Sequence, residues 1–287
     1  MSDLLFVTGA TGKVGRHVCA HALERGLRVR ALTRDPEQAG ELAAAGVEVV
    51  QGALGDADVA EKMAGADAAY VMVPIGPTTV EIGRATHDAI EAAGIGRAVR
   101  LSVVSPFADS DTFLGRWHTE LDADFAGRSF TSAIVRPHAF MENLLGSAHS
   151  VRDGKLVGAN ADGRTPYIAA SDVAACVVEL AASESSCSGT HDLSGPATHD
   201  GTDVAGMLSA LLGRDVVWVN VDPDGYEQML RGAGLPDLFV ELVADLARLA
   251  RGDVGAEPTD GFQKLMGRAP EGLTSWLERH RGAFGGG

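Results

Sequence analysis

The chain of 287 residues is poor in the features that mark membrane, metal and nucleic-acid proteins. It has three cysteines, Cys19, Cys176 and Cys187, scattered and in no CxxC pair. That argues against a disulfide framework and against a zinc site. Cys19 falls on a helical pattern and reads as a small buried hydrophobe. No apolar run approaches the ~18–20 residues that cross a bilayer. The N-terminus runs straight into apolar residues, with no basic stretch and no small-residue cleavage site, so a cytoplasmic location is expected. Positive charge is scarce: Lys and Arg number 24 against 39 Asp and Glu, a net charge of -15. Such a chain repels phosphate backbones, and no basic stripe offsets this, so no nucleic-acid partner is expected. There is no GxSxG turn, which removes the esterase elbow. His87, His118, His138 and His149 do not pair at metal-ligand spacing, and His191 and His199 flank a glycine-proline turn, so no metal is expected.

What is present is rhythm. Apolar residues make up 45% of the chain, enough for a sizeable core. Over the first ~145 residues short apolar runs alternate with helical patterns, as βαβ units do. The runs cover 4–8, 28–33, 47–51, 68–73, 98–104 and 132–136. The helical patterns cover 13–25, 36–45, 56–64, 79–93 and 113–126, and Gly26, Gly46, Gly65 and Gly94 fall where helix C-caps belong. This predicts an α/β fold with a doubly wound parallel sheet. After about residue 150 the rhythm changes. A helix is predicted over 171–183, capped by Ser171 or Asp172, and another over 202–212. Short strands are predicted at 189–195 and 215–221, with mostly helix over 224–281. The division is therefore a nucleotide-type domain over 1–150 and a smaller, mainly helical lobe over 151–287. The boundary is soft, because some late strands are free to join the main sheet.

One loop carries the chemistry. Thr8-Gly9-Ala10-Thr11-Gly12-Lys13-Val14-Gly15 follows a strand and opens a helix, the context a dinucleotide fingerprint requires. Gly9 permits the tight turn, Gly12 lets backbone approach a pyrophosphate, and Gly15 lets helix and strand pack closely. The helix N-terminus adds free N–H groups and positive dipole. The spacing is GxxGxxG rather than GxGxxG. At the end of the second strand an acid would hold an NAD ribose and an arginine an NADP 2′-phosphate. The chain reads Thr33-Arg34-Asp35. Arg34 suits a phosphate and favours NADP(H), while Asp35 could serve NAD.

At these residues the chain resembles the atypical short-chain dehydrogenase/reductases, in their NmrA-like and triphenylmethane-reductase/quinone-reductase-like branch. The stretches "VTGATGKVGRHV", "ALTRDP", "VQGALGD", "YVMVP", "WHTELDADFAGRSFTSAIVRPHAFMEN", "YIAASDVAA" and "GTHDLSGP" match that family's landmarks in order, across nearly the whole chain. The resemblance implies a Rossmann domain, a small C-terminal lobe and an NADP(H) site between them. It carries Gly9, Thr11, Gly12, Lys13 and Val14 to the pyrophosphate and Arg34 to the 2′-phosphate. It places Val73 and Pro74 beside the nicotinamide-side ribose and Ser102 at the end of the fifth strand. Arg136 and Pro137, with Phe140 and Asn143, flank the nicotinamide and the substrate cleft. One departure stands out: Gly52-Ala53 replaces the usual Gly-Asp near the adenine, and the Leu54 backbone is the available substitute.

The proton donor of ordinary short-chain reductases is a tyrosine activated by a lysine four residues on. Here the tyrosines are Tyr70, Tyr167 and Tyr226, followed at that spacing by Pro74, Ser171 and Leu230. The dyad is absent. Two explanations remain: hydride transfer to an acceptor that needs little protein acid, or cofactor binding without turnover. The catalytic candidates are His118, Ser105 and Asn143. His118 could titrate near neutral pH and donate a proton, or could orient the cofactor or bond Glu120. Ser102 or Ser105 could bond the nicotinamide or a substrate oxygen, or form turns. Asn143 could position a carbonyl or cap a helix end. His138, Phe140 and Tyr167 are the substrate-side candidates, with core packing the competing role for Tyr167. Trp218, Tyr226, Met229, Leu230, Leu235, Phe239 and Leu242 could form a lid, although their helical spacing also fits a core. The function expected is NADPH-dependent hydride transfer to a conjugated small molecule such as a quinone, enone or imine. The alternatives are a non-catalytic NADP(H)-binding redox sensor, or a cofactor-bound cyclase or isomerase.

Overall fold

The structure, a computed structural model, describes residues 3–183 and 185–285. The first half runs β1 (Leu4–Val7), α1 (Gly15–Glu24), β2 (Arg28–Thr33), α2 (Gly40–Ala44), β3 (Glu48–Gln51), α3 (Val59–Met63), β4 (Ala68–Val71), α4 (Thr79–Ala92), β5 (Arg97–Leu101), α5 (Ser105–Ala108), α6 (Phe113–Ala126) and β6 (Thr131–Pro137). The second half runs α7 (Ala148–Arg152), β7 (Lys155–Gly158), α8 (Ala170–Ala181), β8 (Gly189–Leu193), α9 (Gly201–Leu212), β9 (Val217–Asn220), α10 (Pro223–Gly232), α11 (Asp237–Arg251), α12 (Gly261–Met266) and α13 (Leu273–Arg279).

Seven strands form one parallel sheet in the order β3-β2-β1-β4-β5-β6-β8. The expected doubly wound α/β fold is thus what the chain adopts. β1 (LLFV) and β4 (AAYV) lie at the centre, buried at every position. Strands covered on both faces must be apolar on both, which is why they read as unbroken runs. On one face α1, α8 and α12 pack Val18, Cys19, Val177, Leu180 and Phe262 onto the sheet. On the other, α3, α4 and α6 pack Val59, Met63, Ile90 and Phe125. The order reverses between β1 and β4, so the loops after these strands border a crevice at the carboxyl edge.

In the later chain one possibility left open is realised, a late strand joining the main sheet, and two details differ from the reading. β8 enters the main sheet beside β6, with Arg136 opposite Asp192. β9, expected as a strand, pairs instead with β7 in a separate two-stranded parallel sheet. β7 is the four residues KLVG between Gly154 and a loop, too short to show a period. Neither Ser171 nor Asp172 caps α8. Its first N–H, on Ala170, donates to the Glu142 carboxylate at 3.1 Å, while Asp172 accepts from Arg268 and from Glu271 N. A third core of Leu156, Val204, Leu208, Trp276 and Leu277 holds the remaining helices together. α10 buries none of its residues and is tied to α11 by Arg248–Glu227 and Arg231–Asp237 ion pairs. Among the described residues no helix is long and apolar enough to cross a membrane.

The α4–α6 interface encloses a histidine. His87 is fully buried, its ring edge-on to Phe125 with centroids 4.9 Å apart and its Nδ1 2.6 Å from Asp124 Oδ2. Burial is the largest influence and pushes its pKa down to about 4; the Asp124 hydrogen bond opposes this, and Arg100 and Arg128 add to the lowering. In the unfolded chain the same ring protonates near its ordinary value of 6.5. Between these values the unfolded state binds more protons, so stability falls as pH drops from 6.5 toward 4. The expected loss from His87 between about pH 7.5 and about pH 5 is ~2 kcal/mol. Chemical denaturation at the two pH values measures it. His87→Gln, which keeps a partner for Asp124 without titrating, should lose correspondingly less; equal losses in both proteins would contradict the assignment.

Candidate functional site: a bare glycine cradle and two arginines on one carboxylate

The loop after β1 is held by Thr8. Its N–H donates to Tyr70 O at 3.1 Å, and its hydroxyl accepts from Met72 N at 2.7 Å. This joins the ends of β1 and β4 at the point where the strand order reverses. Gly9 has φ +61, and Gly12 N donates back to Gly9 O at 2.9 Å. A Cβ on Gly15 would collide with Gly9 O and stand 2.8 Å from Ala10 Cα, so only glycine lets the helix start this close to the turn. α1 has no side-chain cap and no acid in its first turn. Its leading N–H groups and positive end are left for an anion. The cradle fits a dinucleotide pyrophosphate.

The end of β2 separates its two charges. Asp35 is engaged: its carboxylate accepts from Glu37 N at 3.1 Å and from Gln38 Nε2 at 2.8 Å. Arg34 is exposed and, among the described residues, makes no ion pair or hydrogen bond. A free guanidinium beside a committed carboxylate favours a phosphate ligand over a ribose hydroxyl. At the Ala53 departure, Ala53 N donates to Asp56 Oδ2 at 2.8 Å, so a carboxylate three residues on reaches this loop.

The carboxyl ends of β5 and β6 hold a charge cluster that the sequence reading did not single out. Alternation along a strand sends Arg100 and Arg136 to the face covered by α6. Asp122 of α6 comes down between them. It lies 3.0 Å from Arg100 Nε, a charge contact without hydrogen-bond alignment, and accepts from Arg136 Nε at 2.9 Å. Arg100 is 1% exposed and Asp122 4%. Ser102 Oγ donates to Asp122 Oδ2 at 2.8 Å. Arg136 continues to Ser105 Oγ at 2.9 Å, and Ser105 donates from both N and Oγ to Asp192 of β8. Ser102, Ser105 and Arg136, expected to meet cofactor or substrate through their polar atoms, therefore bond mainly within this cluster, to Asp122 and Asp192. The available signals were an arginine inside the apolar run of β5 and the four-residue spacing of His118 and Asp122.

His118 sits against this cluster, with Nδ1 3.3 Å from Arg100 Nη2 and 3.2 Å from Ser102 Oγ. Burial, reinforced by Arg100 and then Arg136, pushes its pKa down to about 3. The expectation of a histidine titrating near neutral pH is corrected: two guanidinium groups oppose a third positive charge. The suggested bond to Glu120 is also absent, because Glu120 pairs with Arg84 at 2.8 Å. His118 borders a tight recess of about 10 Å³, roughly the room one water or one oxygen atom needs, together with Val73, Ile75, Thr79, Leu114, Trp117 and Leu121. A larger open hollow of about 480 Å³ lies between α5 and α6 around Ser110, Arg116 and Glu120, and holds none of these groups.

The other candidates scatter around the crevice. Asn143 is exposed, and its Oδ1 accepts from Lys13 Nζ at 2.7 Å, bridging the cradle and the 3₁₀ turns at Met141–Ser147. Pro74 O accepts from Thr79 Oγ1 at 2.9 Å, which fixes the turn after β4. Pro137 O accepts from Val104 N at 3.1 Å. His138 is buried against Phe107, ring centroids 5.1 Å apart; burial pushes its pKa down to about 4 and its Nε2 lacks an aligned partner beside Gly255. Phe140 bridges to Ile168 and packs on the core under α1 and α8, and Tyr167 packs on the helical core with its pKa raised by burial. Trp218 is enclosed between Gly158 and Gly201, whereas Met229 and Phe239 are exposed. Among the described residues no cluster of His, Cys, Asp and Glu could hold a metal ion.

Sheet order, cradle and crevice define a Rossmann-type dinucleotide-binding protein. The chain belongs to the NmrA-like family, whose profile matches residues 1–251. It is 29% identical to an NAD(P)H azoreductase of Xenophilus azovorans, over 98% of this chain and 99% of that one. It is 30% identical to a (4-alkanoyl-5-oxo-2,5-dihydrofuran-3-yl)methyl phosphate reductase of Streptomyces griseus, over the same shares. Among solved structures, the NADPH complex of Escherichia coli quinone oxidoreductase QOR2 superposes with a TM-score of 0.86 at 24% identity, covering 96% of this chain and 99% of that one.

Among the described residues Asp122 is the one carboxylate that meets both the buried Arg100 and the half-buried Arg136. Asp122→Asn should cost about 3–5 kcal/mol, the scale for breaking a buried charge cluster by removing one partner. Urea unfolding measures it, and a loss below about 1 kcal/mol would show that the arginines are paired elsewhere.

Proposed function

We propose that the protein is an NADPH-dependent oxidoreductase that passes hydride to a conjugated, electron-poor small molecule such as a quinone, an enone or an imine. The observation that carries this reading is the shared carboxyl edge. In a parallel sheet the glycine cradle after β1, the recess after β4 and the ends of β5 and β6 all open on the same side. One extended dinucleotide lying along that edge would put its reactive ring beside the recess. The two full-length relatives, by name an NAD(P)H azoreductase and a phosphate reductase, support a reductase. So does the resemblance to a quinone oxidoreductase solved with NADPH.

In this reading Gly9, Thr11, Gly12, Lys13 and Val14 hold the pyrophosphate, and Arg34 takes the 2′-phosphate. Val73 and Pro74 flank the nicotinamide-side ribose. Ser102, Arg136 and Pro137 form the rigid floor beneath the ring. His138, Phe140 and Tyr167 border the substrate side. Asn143 holds Lys13 in place, and Ser105 holds Arg136. The bound nicotinamide supplies the hydride. The protein supplies position, exclusion of water and fixed dipoles, in a site where no tyrosine has a lysine four residues on. A carbonyl that must be protonated as it is reduced is poorly served here. An acceptor that spreads negative charge over a conjugated system is served well.

Purified protein is to be mixed with NADPH or NADH and a panel of quinones, azo dyes, enones and imines. NADPH should be consumed in preference to NADH. Arg34→Ala should reduce that preference about 10–100-fold, the worth of a charge-assisted phosphate contact. NADPH that binds but is consumed with no acceptor would replace this reading with a non-catalytic redox sensor. Product without net NADPH loss would indicate a cyclase or isomerase.

A further inference from the structure

The recess beside β4 has one polar edge that no protein group satisfies. A guanidinium nitrogen only donates and stays protonated. Arg100 Nη2 lies 3.3 Å from His118 Nδ1, so it can only give this nitrogen a hydrogen bond. The Ser102 hydroxyl proton goes to Asp122 Oδ2 at 2.8 Å, which leaves its oxygen, 3.2 Å from Nδ1, as the rival acceptor for an Nδ1–H. That proton would face a guanidinium N–H, and a hydrogen bond from a charged donor is the stronger of the two. With the charged donor deciding, Nδ1 accepts and the ring proton of neutral His118 sits on Nε2. Among the described residues no group is hydrogen-bonded to Nε2, and it is not sealed away as an unpartnered buried atom.

The groups around the ring keep it neutral. Arg100 faces it from β5 and Arg136 approaches from β6. Asp122, one turn along α6, is already shared by the two arginines and Ser102. Val73, Ile75 and Thr79 bring no charge from the β4–α4 side, and the Arg84–Glu120 pair on the rim is exposed. A second proton on the ring would point Nδ1–H at an arginine N–H. The pKa of about 3 agrees with this geometry.

We propose that Arg100 fixes His118 as the neutral Nε2–H tautomer, and that this N–H is the hydrogen-bond donor to the substrate's acceptor atom, a carbonyl or quinone oxygen or an imine or azo nitrogen. The assignment of the N–H to a substrate rests on the reductase reading above; the tautomer does not. His118 keeps its proton throughout. The substrate gains two electrons with the hydride, and water provides the proton that completes the reduced product. The arginine pair thus selects polarisation over proton transfer, which suits acceptors that can carry charge until solvent protonates them. Arg100 acts through His118 and is a positioning residue.

Two measurements test this. The first is a ¹⁵N titration of the histidine rings in the full-length protein without cofactor, with the His118 signals identified by their loss in His118→Ala. His118 should stay neutral and in the Nε2–H form from about pH 8 to about pH 5. A midpoint near the ordinary value of 6.5, or the Nδ1–H form, overturns the proposal. The second is NADPH oxidation by a quinone in wild type, His118→Ala and His118→Gln, whose amide also offers an N–H. Loss of that donor should lower kcat about 10²-fold in His118→Ala. KM for NADPH should stay near wild type, and His118→Gln should recover a large part of kcat. Equal kcat in all three overturns the substrate contact. Wild type that consumes no NADPH with any acceptor overturns it through the reductase reading, and the ring titration, which needs no turnover, separates that failure from a wrong tautomer.

Discussion

Two guanidinium groups inside this protein share one carboxylate, and much of the site depends on that contact. Charges removed from water persist only where partners surround them. Asp122 stands between Arg100 and Arg136, and Ser102 donates to the same oxygen that Arg136 meets. Through Ser105 the network reaches Asp192, which ties β8 to the rest of the sheet. The same atoms that join three strands to α6 stand against one ring, His118, whose pKa is pushed down by burial and then by the two guanidinium groups. Fold and chemistry are linked there because the sheet's alternation puts both arginines on one face.

A second set of contacts joins the cofactor side to the substrate side. Thr8 ties β1 to β4 at the switch point, and Lys13 reaches Asn143 across the crevice. Glu142, next to Asn143, satisfies the first N–H of α8 and accepts from Trp276 Nε1 at 3.3 Å. The short turns carrying Asn143 are therefore anchored both to a core helix and to α13.

The six strands of the first half could be read from sequence because their apolar runs are separated by glycines at helix ends; β1 and β4 are buried at every position, and even the edge strand β3 keeps its Val49-Val50 pair. α6 was legible to the residue, since Thr112 caps it by accepting from Gly115 N and its buried positions repeat at helical spacing. β7 was not legible, because four residues carry no period and only its pairing with β9 makes it a strand. The cap of α8 was misread because its partner, Glu142, lies 28 residues away. In the site, the tight glycine turn was legible because loop geometry is local in sequence. The roles of Ser102, Ser105, Arg136 and His118 were not, because each depends on which charges the fold brings beside it. The arginines that hold His118 neutral lie on two strands 36 residues apart in numbering, from Arg100 to Arg136.

The central claim is that this crevice brings a hydride donor and an acceptor together and moves the hydride between them. The most direct test is single-turnover oxidation of NADPH carrying deuterium at one or the other C4 position, with a quinone as acceptor. A slower reaction with only one of the two labelled cofactors is the predicted result, since a fixed site presents a single face of the ring. NADPH that binds tightly yet shows no oxidation with any acceptor would contradict the account.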